Sequence, residues 1–373
     1  MKAVNMQSLA AVAPDVKKPF SLEYIDIPEP RDDEVLVKIV AVGICHTDIS
    51  SKDGILPAPY PSVFGHEGSG VVEKVGAGVK DVAPGDHVVL SPAFCGTCPL
   101  CFSGEPMYCQ DFFGLNFQAD PNGMKAGGTE GKQVFLKYFG QSSLSQYALA
   151  SSRNAVKVRK DVPLNILGPL GCGIQTGAGT VMNGMKSRPG SSIAVLGSGS
   201  VGLASVLGAV VCGCTTIIAV DLIESRLEMA TILGATHCIN TKREPDLAKA
   251  IRAIAPRGVD YIVDAAGIPT LVTAAFNALA IRGTLGLVAV PPSPDKNIEM
   301  PWLAGLLRGH VVQGFIEGHG VPKIFIPQLV DLHAQGRFPF DKMITHYPFD
   351  KINQAVEDQL AGKVIKPVLQ VSA

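Results

Sequence analysis

Residues 192–221 read SIAVLGSGSVGLASVLGAVVCGCTTIIAVD, and this stretch decides the fold. It opens with a short apolar run, 192–196, which is typical of a strand buried on both faces of a parallel sheet. A glycine-rich turn follows, then a small-residue segment that suits a helix, and then a β-branched run at 215–220. The pattern predicts a strand–turn–helix–strand unit. Residues 191–220 carry no charge, but these internal breaks argue against a membrane-spanning helix.

The turn carries Gly197, Gly199 and Gly202 in the spacing G-x-G-x-x-G, and Asp221 follows the last of them by 19 residues. In a dinucleotide-binding unit the first glycine permits the tight turn, the second lets the pyrophosphate approach, and the third allows close helix–strand packing. The helix N-terminus offers free N–H groups to the phosphates. Asp221 can bind both ribose hydroxyls and would repel a 2′-phosphate. The sequence therefore predicts NAD rather than NADP, with Arg226 assigned to the same site.

Strands and helices alternate up to residue 316. Further strands are predicted at 237–240, 259–264, 283–290 and 310–316, and helices at 224–233, 244–254, 269–279 and 302–307. Six strands joined by crossovers predict an α/β fold with a doubly wound parallel sheet.

The two ends of the chain have a different pattern. Residues 1–172 contain short strand-like runs between many glycines and prolines, which indicates a mostly β domain. The tail has two predicted helices and a final strand, and we expect it to return to that domain. A chain of 373 residues is also too long for one ordinary core. We therefore predict one domain from 1–172 with 317–373, and an NAD-binding domain at 173–316.

Four of the nine cysteines follow one another closely as C-x2-C-x2-C-x7-C, at Cys95, Cys98, Cys101 and Cys109. Four thiolates can close a tetrahedral shell, which predicts a structural zinc. Cysteines often pack as small hydrophobic residues, but the glycines and prolines between these four are not typical of a core. An Fe–S cluster would also use four cysteines. Nothing else in the chain points to electron transfer.

Three further candidate ligands, Cys45, His66 and Cys172, lie far apart in the chain. Taken alone, each is better interpreted as a core residue. Together, two thiolates and one imidazole would leave the fourth position of a zinc ion open, as a catalytic zinc requires.

Composition excludes some functions and suggests a compartment. The net charge is −1 and no basic block is present, so neither nucleic acid nor an anionic membrane is predicted as a partner. Six cysteines assigned to zinc leave Cys212, Cys214 and Cys238. An odd number with metal-ligand spacing favours a reducing, cytoplasmic location.

The run Gly65-His66-Glu67-x-x-Gly70-x5-Gly76-x-x-Val79 matches the zinc signature of the medium-chain dehydrogenase/reductase superfamily. The chain resembles its zinc-dependent alcohol dehydrogenases over essentially its whole length. Segments 45–48 (CHTD), 140–143 (GQSS), 168–177 (GPLGCGIQTG) and 336–341 (GRFPFD) resemble the aryl- or benzyl-alcohol and geraniol dehydrogenases. The resemblance implies a GroES-like catalytic domain, a Rossmann domain and two zinc ions per chain. It also implies reversible hydride transfer between NAD and a primary aromatic or allylic alcohol.

The resemblance also assigns roles near the metal. Cys45, His66 and Cys172 would hold the catalytic zinc, and Glu67 would approach the metal from behind. Asp48 would orient His66, as outer carboxylates do for metal-bound histidines.

Other roles concern the proton and the cofactor. Thr47 would take the alcohol proton; without the resemblance, Thr47 and Asp48 would be interpreted as a helix cap. His46 and Lys366 stand where relatives often carry an arginine, and Lys366 would contact the pyrophosphate. Ser50 replaces a histidine that ends the proton relay in many relatives, and serine is not a base near neutral pH.

The resemblance further suggests a homodimer or homotetramer, with strand 310–316 as a dimer edge. A broad apolar channel is predicted from Phe112, Phe113, Leu115, Phe117, Phe135, Leu136 and Phe139.

The alternative functions are those of a zinc-free relative such as a quinone reductase, a glutathione-dependent formaldehyde dehydrogenase, and a reductase of a secondary-metabolite carbonyl. The glutathione enzyme would need basic residues at its pocket, and segment 111–139 offers only Lys125, Lys132 and Lys137.

Overall fold

The computed structural model describes residues 6–117, 125–127, 133–291, 293 and 295–372. The chain forms two compact units. The first unit comprises Met1–Cys172, Val321–Ala334 and Ile344–Ala373, and the second comprises Gly173–Gly320 and Gln335–Met343.

The strands and helices are numbered along the chain. The strands are β1 (Met6–Ala13), β2 (Ser21–Ile27), β3 (Glu34–Gly43), β4 (Ser62–Val63), β5 (Gly68–Val75), β6 (His87–Leu90), β7 (Lys125–Gly127), β8 (Gln133–Phe135), β9 (Tyr147–Ser151), β10 (Ala155–Lys157), β11 (Ser192–Leu196), β12 (Thr216–Asp221), β13 (His237–Asn240), β14 (Val259–Asp264), β15 (Leu279–Leu287), β16 (Val311–Gly314), β17 (Ile344–Pro348) and β18 (Lys366–Gln370). The helices are α1 (His46–Lys52), α2 (Pro99–Phe102), α3 (Phe112–Asn116), α4 (Leu164–Leu167), α5 (Gly173–Gly179), α6 (Ser200–Cys212), α7 (Glu224–Ile232), α8 (Leu247–Ile254), α9 (Pro269–Phe276), α10 (Trp302–Arg308), α11 (Pro322–Ala334) and α12 (Ile352–Leu360).

The second unit contains the predicted doubly wound sheet. Its strands run parallel in the order β13-β12-β11-β14-β15-β16. Ala194 and Ile218 on the central strands are fully buried, because helices cover both faces of such a sheet. The uncharged run therefore forms β11, α6 and β12. Within the described residues, none of the helices combines the length and apolarity needed to cross a bilayer.

Two glycines set how closely the helices of the second unit pack. A Cβ on Gly202 would lie 1.8 Å from the carbonyl oxygen of Gly197, so only glycine allows α6 to start against the turn. A Cβ on Gly177 would lie 2.0 Å from the carbonyl oxygen of Val201, so α5 and α6 meet backbone to backbone.

The first unit is the predicted GroES-like, mostly β domain. A closed barrel has the order β1-β2-β7-β8-β4, and a second sheet has the order β10-β6-β5-β3-β18-β17 with β9 also paired to β3. Val35, Val37 and Ile39 of β3 are fully buried in its core. Because β3 lies at the centre of this sheet, it fixes the position of the residues that follow it, which include Cys45.

The tail is divided differently from the prediction that 317–373 belongs entirely to the first unit. Residues 317–320 and 335–343 cluster with the second unit. Gly318 lies against α5, where a Cβ would approach the carbonyl oxygen of Gln175 to 2.3 Å. Phe338 and Phe340 are fully buried in segment 335–343, with ring centroids 6.0 Å apart. Buried aromatic rings thus anchor residues 335–343 in the second unit, although the sequence analysis placed them in the first.

Candidate active site

Asp48 organises the first unit's candidate metal site. It lies in the first turn of α1 and is 1% exposed. Its carboxylate accepts hydrogen bonds from the main-chain N–H of Cys45 (3.0 Å) and of Gly65 (3.1 Å), and from Nδ1 of His66 (2.8 Å). Asp48 is therefore both the predicted helix cap and the predicted partner of His66. Because a carboxylate only accepts, the proton of His66 lies on Nδ1, which leaves Nε2 as a ligand atom.

The other nitrogen of His66 is placed as a candidate metal ligand. Nε2 is buried and has no hydrogen-bond partner among the described residues. It shares a cluster with Cys45, Glu67 and Cys172, whose ligand atoms all lie within 4.8 Å of one another. A buried polar atom without a partner costs about 1–3 kcal/mol, and two thiols beside an imidazole form a ligand set that zinc prefers. These residues fit a zinc ion.

Cys172 reaches this cluster from a tight turn. The turn Gly168–Gly171 precedes it, and a Cβ on Gly171 would lie 2.2 Å from the carbonyl oxygen of Leu90. Glycine is therefore required for the turn to pack against the end of β6. The packing brings a cysteine more than a hundred residues beyond His66 in the sequence into the cluster.

Charges in the cluster shift the pKa values of two candidate ligands in opposite directions. The thiol of Cys172 holds the pKa of Cys45 well below its usual range, which favours the thiolate. Burial lowers the pKa of His66, but Asp48 and Cys45 together outweigh burial and raise this pKa well above its usual value.

Glu67, a member of this cluster, forms a buried ion pair with Lys366. Their side chains are 0% and 1% exposed, and Nζ donates to both carboxylate oxygens at 2.9 Å. Burial raises the pKa of Glu67 to about 7 although Lys366 opposes the shift. Gly43 makes space for this carboxylate, because a Cβ there would lie 2.1 Å from Oε2.

The pyrophosphate contact of Lys366 stays a prediction, and the structure places its ammonium group on partners in the first unit. The Nζ atom of Lys366 also donates to the carbonyl oxygen of Ile44 at 3.2 Å. An ammonium group has three donors, and here all three are directed to Glu67 and Ile44 inside the first unit. The reason is the antiparallel pairing of β18 with β3, which places Lys366 next to the segment that leads into Cys45.

The four clustered cysteines form a second site in the first unit. The ligand atoms of Cys95, Cys98, Cys101 and Cys109 lie within 4.8 Å of one another. The main-chain N–H groups of Thr97 and Cys98 donate to the sulfur of Cys95, at 3.4 and 3.3 Å. The Thr97 amide lowers the pKa of Cys95 to about 6. Four sulfurs with main-chain donors fit a metal ion held in a closed thiolate shell.

The remaining predicted residues of α1 lie around the ligand cluster. Thr47 is half-buried, and its hydroxyl is 3.6 Å from the sulfur of Cys45. Ser50 is buried on the same helix, whereas His46 is exposed. The hydroxyl is thus close to the metal ligands.

An aromatic cluster covers the imidazole of His66. Phe139 stacks on it with ring centroids 4.4 Å apart and an interplanar angle of 25°. Phe117 lies 4.9 Å from Phe139, and Phe113 lies 5.2 Å from Phe117 and is 50% exposed. Tyr138, which the sequence analysis missed, hydrogen-bonds through its hydroxyl to Ser51 at 2.7 Å. The cluster extends from a candidate ligand to the protein surface.

The glycine-rich turn of the second unit has the features of a phosphate cradle. Gly197 has a φ of +85°, which favours glycine. Among the described residues, no heavy atom lies within 4 Å of the place where a Cβ on Gly199 would stand. Gly199 is also the N-cap of α6 and supplies no capping side chain. Free N–H groups beside open space fit a pyrophosphate.

Asp221 is tied to this turn. Its Oδ2 accepts from the N–H of Ser198 at 2.7 Å, and its Oδ1 accepts from the N–H groups of Leu222 and Ile223 at 2.7 and 2.9 Å. Arg226 follows on α7, and its Nε is buried with no hydrogen-bond partner among the described residues. A fixed carboxylate at the end of β12 fits the ribose of a dinucleotide.

Comparisons with known proteins agree with this geometry. The model for the alcohol dehydrogenase GroES-like domain matches residues 31–160, and the model for zinc-binding dehydrogenases matches residues 200–335. These matches define the class as a zinc-binding dehydrogenase with a GroES-like domain.

Individual relatives of this chain indicate which family within this class it belongs to. Geraniol dehydrogenase from Castellaniella defragrans is 42% identical over 363 residues, which cover 96% of each chain. Benzyl alcohol dehydrogenase from Acinetobacter calcoaceticus has a TM-score of 0.94 at 45% identity, covering 98% of this chain and 100% of that one. An alcohol dehydrogenase zinc-binding domain protein from Burkholderia ambifaria has a TM-score of 0.97 at 48% identity, covering 99% and 100%. The chain belongs to the zinc-type alcohol dehydrogenase family of the medium-chain dehydrogenase/reductase superfamily, and it is an enzyme.

Proposed function

We propose that this enzyme interconverts a primary alcohol and its aldehyde with NAD, at a zinc site formed by Cys45, His66 and Cys172. The buried, unpartnered Nε2 of His66 beside two thiols carries this proposal. When bound, zinc supplies a Lewis acid for the substrate oxygen, and the nicotinamide supplies the hydride acceptor. Asp48 keeps the imidazole in the tautomer that offers Nε2.

Thr47 is proposed to take the proton of the alcohol. Its hydroxyl is close to the ligand Cys45, and a hydroxyl can both accept and donate a proton in a relay. Ser50 cannot end this relay as a base. The proton therefore leaves through water or another group.

A second zinc ion, at Cys95, Cys98, Cys101 and Cys109, is proposed to have a structural role. Four cysteine ligands fill a tetrahedral shell and leave no position for a substrate. The proposed content is two zinc ions per chain. A reducing compartment such as the cytoplasm is proposed, because six of the nine cysteines lie in groups that could hold a metal ion.

The proposed cofactor is NAD, bound by Gly197, Gly199, Gly202, Asp221 and Arg226, with His46 near the pyrophosphate. The fixed carboxylate of Asp221 supports NAD over NADP, because it would repel a 2′-phosphate. Asp221→Ser should shift kcat/KM towards NADP by about tenfold to a hundredfold, since a charge-assisted hydrogen bond contributes about 1.5–3 kcal/mol.

The control for this substitution is Glu224→Gln, which removes a nearby carboxylate that is paired with Arg243. This variant should keep the wild-type cofactor preference. A wild-type enzyme that already prefers NADP would contradict the role proposed for Asp221.

The proposed substrates are benzylic or allylic primary alcohols. Two relatives bear the names geraniol dehydrogenase and benzyl alcohol dehydrogenase. The aromatic cluster of Phe113, Phe117 and Phe139 beside His66 supports a planar, apolar substrate body. Conjugation also stabilises the aldehyde product and favours oxidation.

A substrate panel with an NAD-reduction readout tests this class. Benzyl alcohol and geraniol should exceed ethanol in kcat/KM by at least about a hundredfold, because burial of a ring or prenyl chain contributes about 25 cal/mol per Å². Cyclohexanol should also be a poor substrate. A preference for ethanol or cyclohexanol would contradict the substrate class and leave the dehydrogenase class intact.

S-hydroxymethylglutathione belongs in the same panel. A glutathione-dependent enzyme would need free basic groups at its pocket, and Lys137 is instead paired with the buried carboxylate of Glu34. Lys132 lies outside the described residues. We therefore expect little activity with this compound. High activity would favour the formaldehyde dehydrogenase alternative.

The proposed quaternary structure is a homo-oligomer built on the edge strand β16. All four of its residues are exposed, and Trp302 and Leu307 of α10 in the same unit are 86% and 76% exposed. An exposed edge with apolar neighbours favours pairing with a second copy. Sedimentation equilibrium would measure a dimer or tetramer, and a monomer would contradict this proposal.

A further inference from the structure

The segment 137–144 forms an unusual turn in the first unit. Its backbone takes positive φ at Lys137 (69°), Phe139 (50°), Gly140 (66°) and Ser142 (51°). Bulky residues rarely adopt this conformation, and they keep it only where the surrounding contacts impose it. The contacts of the 137–144 turn therefore indicate what it holds in place.

The turn is bonded to the loop that carries His66. The N–H of Ser143 donates to the carbonyl oxygen of Gly65 at 2.9 Å, and the N–H of Leu144 donates to that of Phe64 at 3.0 Å. A Cβ on Gly65 would lie 2.4 Å from the nitrogen of Leu144. The two segments thus lie in direct main-chain contact, immediately before the candidate ligand.

The side chain of Gln141 continues this contact past His66. It is 1% exposed, and its Nε2 donates to the carbonyl oxygen of His66 at 3.1 Å. Its Oε1 accepts from the N–H of Gly68 at 3.3 Å, and Nε2 also approaches the carbonyl oxygen of Ser91 at 3.4 Å. One amide group therefore binds the main chain at His66 and again two residues later.

The position of Nε2 of His66 depends on both its ring and its backbone. Asp48 fixes the ring through Nδ1, and Phe139 of the 137–144 turn covers one face of the ring. Gln141 fixes the backbone from which the ring projects. A buried amide with both partners satisfied is rigid, because releasing either partner leaves an unpaired polar group.

We infer that Gln141 is a positioning residue for the catalytic metal, acting through the main chain of His66. The inference rests on the zinc site proposed above. It adds a second support to that site besides Asp48, and it gives a role to the GQSS motif at residues 140–143, which the proposed chemistry does not use.

The test compares Gln141→Met with Gln146→Met. Methionine keeps much of the side-chain volume and removes both hydrogen-bonding atoms. Gln146 is a matched control in the same unit, because its Oε1 accepts from the main-chain N–H of Leu9 at 3.2 Å. The zinc enzyme is incubated with a chelator, and the release of each metal equivalent is followed together with thermal stability. The cobalt-substituted forms give visible spectra that report ligand geometry.

Gln141→Met should release one metal equivalent at least about tenfold faster than wild type, as loss of an outer support of a metal ligand typically does. The second equivalent should leave at the wild-type rate, and the cobalt spectrum should shift. Gln146→Met should match wild type in both measurements. A wild-type spectrum and release rate for Gln141→Met, even with lower thermal stability, would overturn the inference.

Two further results separate this inference from the proposed function. A wild-type enzyme that holds only one metal, at the four cysteines, would overturn both. Two metals and alcohol oxidation in wild type, with unchanged release in Gln141→Met, would overturn the inference alone. If Gln141→Met does not fold, Gln141→Glu decides, because it keeps the acceptor for Gly68 and loses the donor to His66. It should also accelerate release of one equivalent, and an unchanged rate would overturn the inference.

Discussion

The two candidate metal sites of the first unit are built in opposite ways. The four-cysteine site takes its ligands from Cys95 to Cys109, and main-chain N–H groups donate to its sulfurs. The second site gathers Cys45, His66 and Cys172 from distant segments. Its supports are side chains, Asp48 and Gln141, which are both 1% exposed.

This difference predicts that one site contributes mainly to stability and the other mainly to catalysis. A local loop that binds a metal with four equal ligands cross-links itself, and the surrounding fold contributes little to its geometry. A site assembled from remote segments depends on the whole unit, and its unfilled position is maintained by the supporting side chains. Substitutions at the first site should therefore affect folding, and substitutions at the second should affect turnover.

The largest contrast is expected between Cys98→Ser and Cys172→Ser. Loss of Cys98 should cause misfolding or aggregation, because the loop loses its cross-link. Loss of Cys172 should abolish turnover and leave a folded protein with about one zinc ion. Zinc analysis, circular dichroism and kcat measure this contrast. Equal loss of stability in the two variants would break the division of roles.

A smaller contrast is expected between substitutions of the side chains that support the two metal sites. Asp48→Asn should lower kcat/KM by about tenfold to a hundredfold, because it removes the charge that orients His66. Ser103→Ala removes a side chain that binds the main chain of the cysteine loop, to Leu100 at 3.0 Å. This exposed bond should change the free energy of unfolding by less than about 0.5 kcal/mol. Comparable losses of activity in Asp48→Asn and Ser103→Ala would show that both metal sites depend on supporting side chains to the same extent.

The smallest contrast is expected between Gly104→Ala in the cysteine loop and Gly85→Ala outside it. Gly104 has a φ of +84°, and a Cβ there would have no heavy atom within 4 Å among the described residues. Denaturant titration should give a loss of about 1 kcal/mol from the left-handed backbone, with unchanged kcat/KM. Gly85→Ala is the control, because Gly85 has the same conformation and equally open surroundings. A much larger loss at Gly104 would mean that the metal loop itself is disturbed.

Local patterns predicted the elements that local chemistry determines. The strands at 192–196, 237–240 and 259–264 are found at those residues, because a glycine marks a break shortly before each of these short runs. The strand predicted at 283–290 is instead Leu279–Leu287. The helix predicted at 269–279 ends at Phe276, so the start of the strand had been assigned to the helix.

Contacts across the chain could not be predicted in the same way. Lys366 was assigned to the cofactor by resemblance to relatives that often carry an arginine there, whereas its partner Glu67 is 299 residues away. That pairing follows from the alignment of β18 against β3, where Val368 lies opposite Gly43. Gln141 was noticed only as part of a motif, because nothing local in the sequence indicates a bond to the main chain of His66.

The pairing of β18 with β3 also sets an order of events during synthesis. The central sheet of the first unit cannot be completed until residues 366–370 have left the ribosome. The cysteine loop needs only its own short segment, so it can capture metal while the chain is still growing. Cys45 and His66 are synthesised early, but Lys366 can pair with the neighbouring Glu67 only after β18 has been made. The proposed active centre can therefore take its final geometry only after residues 366–370 have been synthesised.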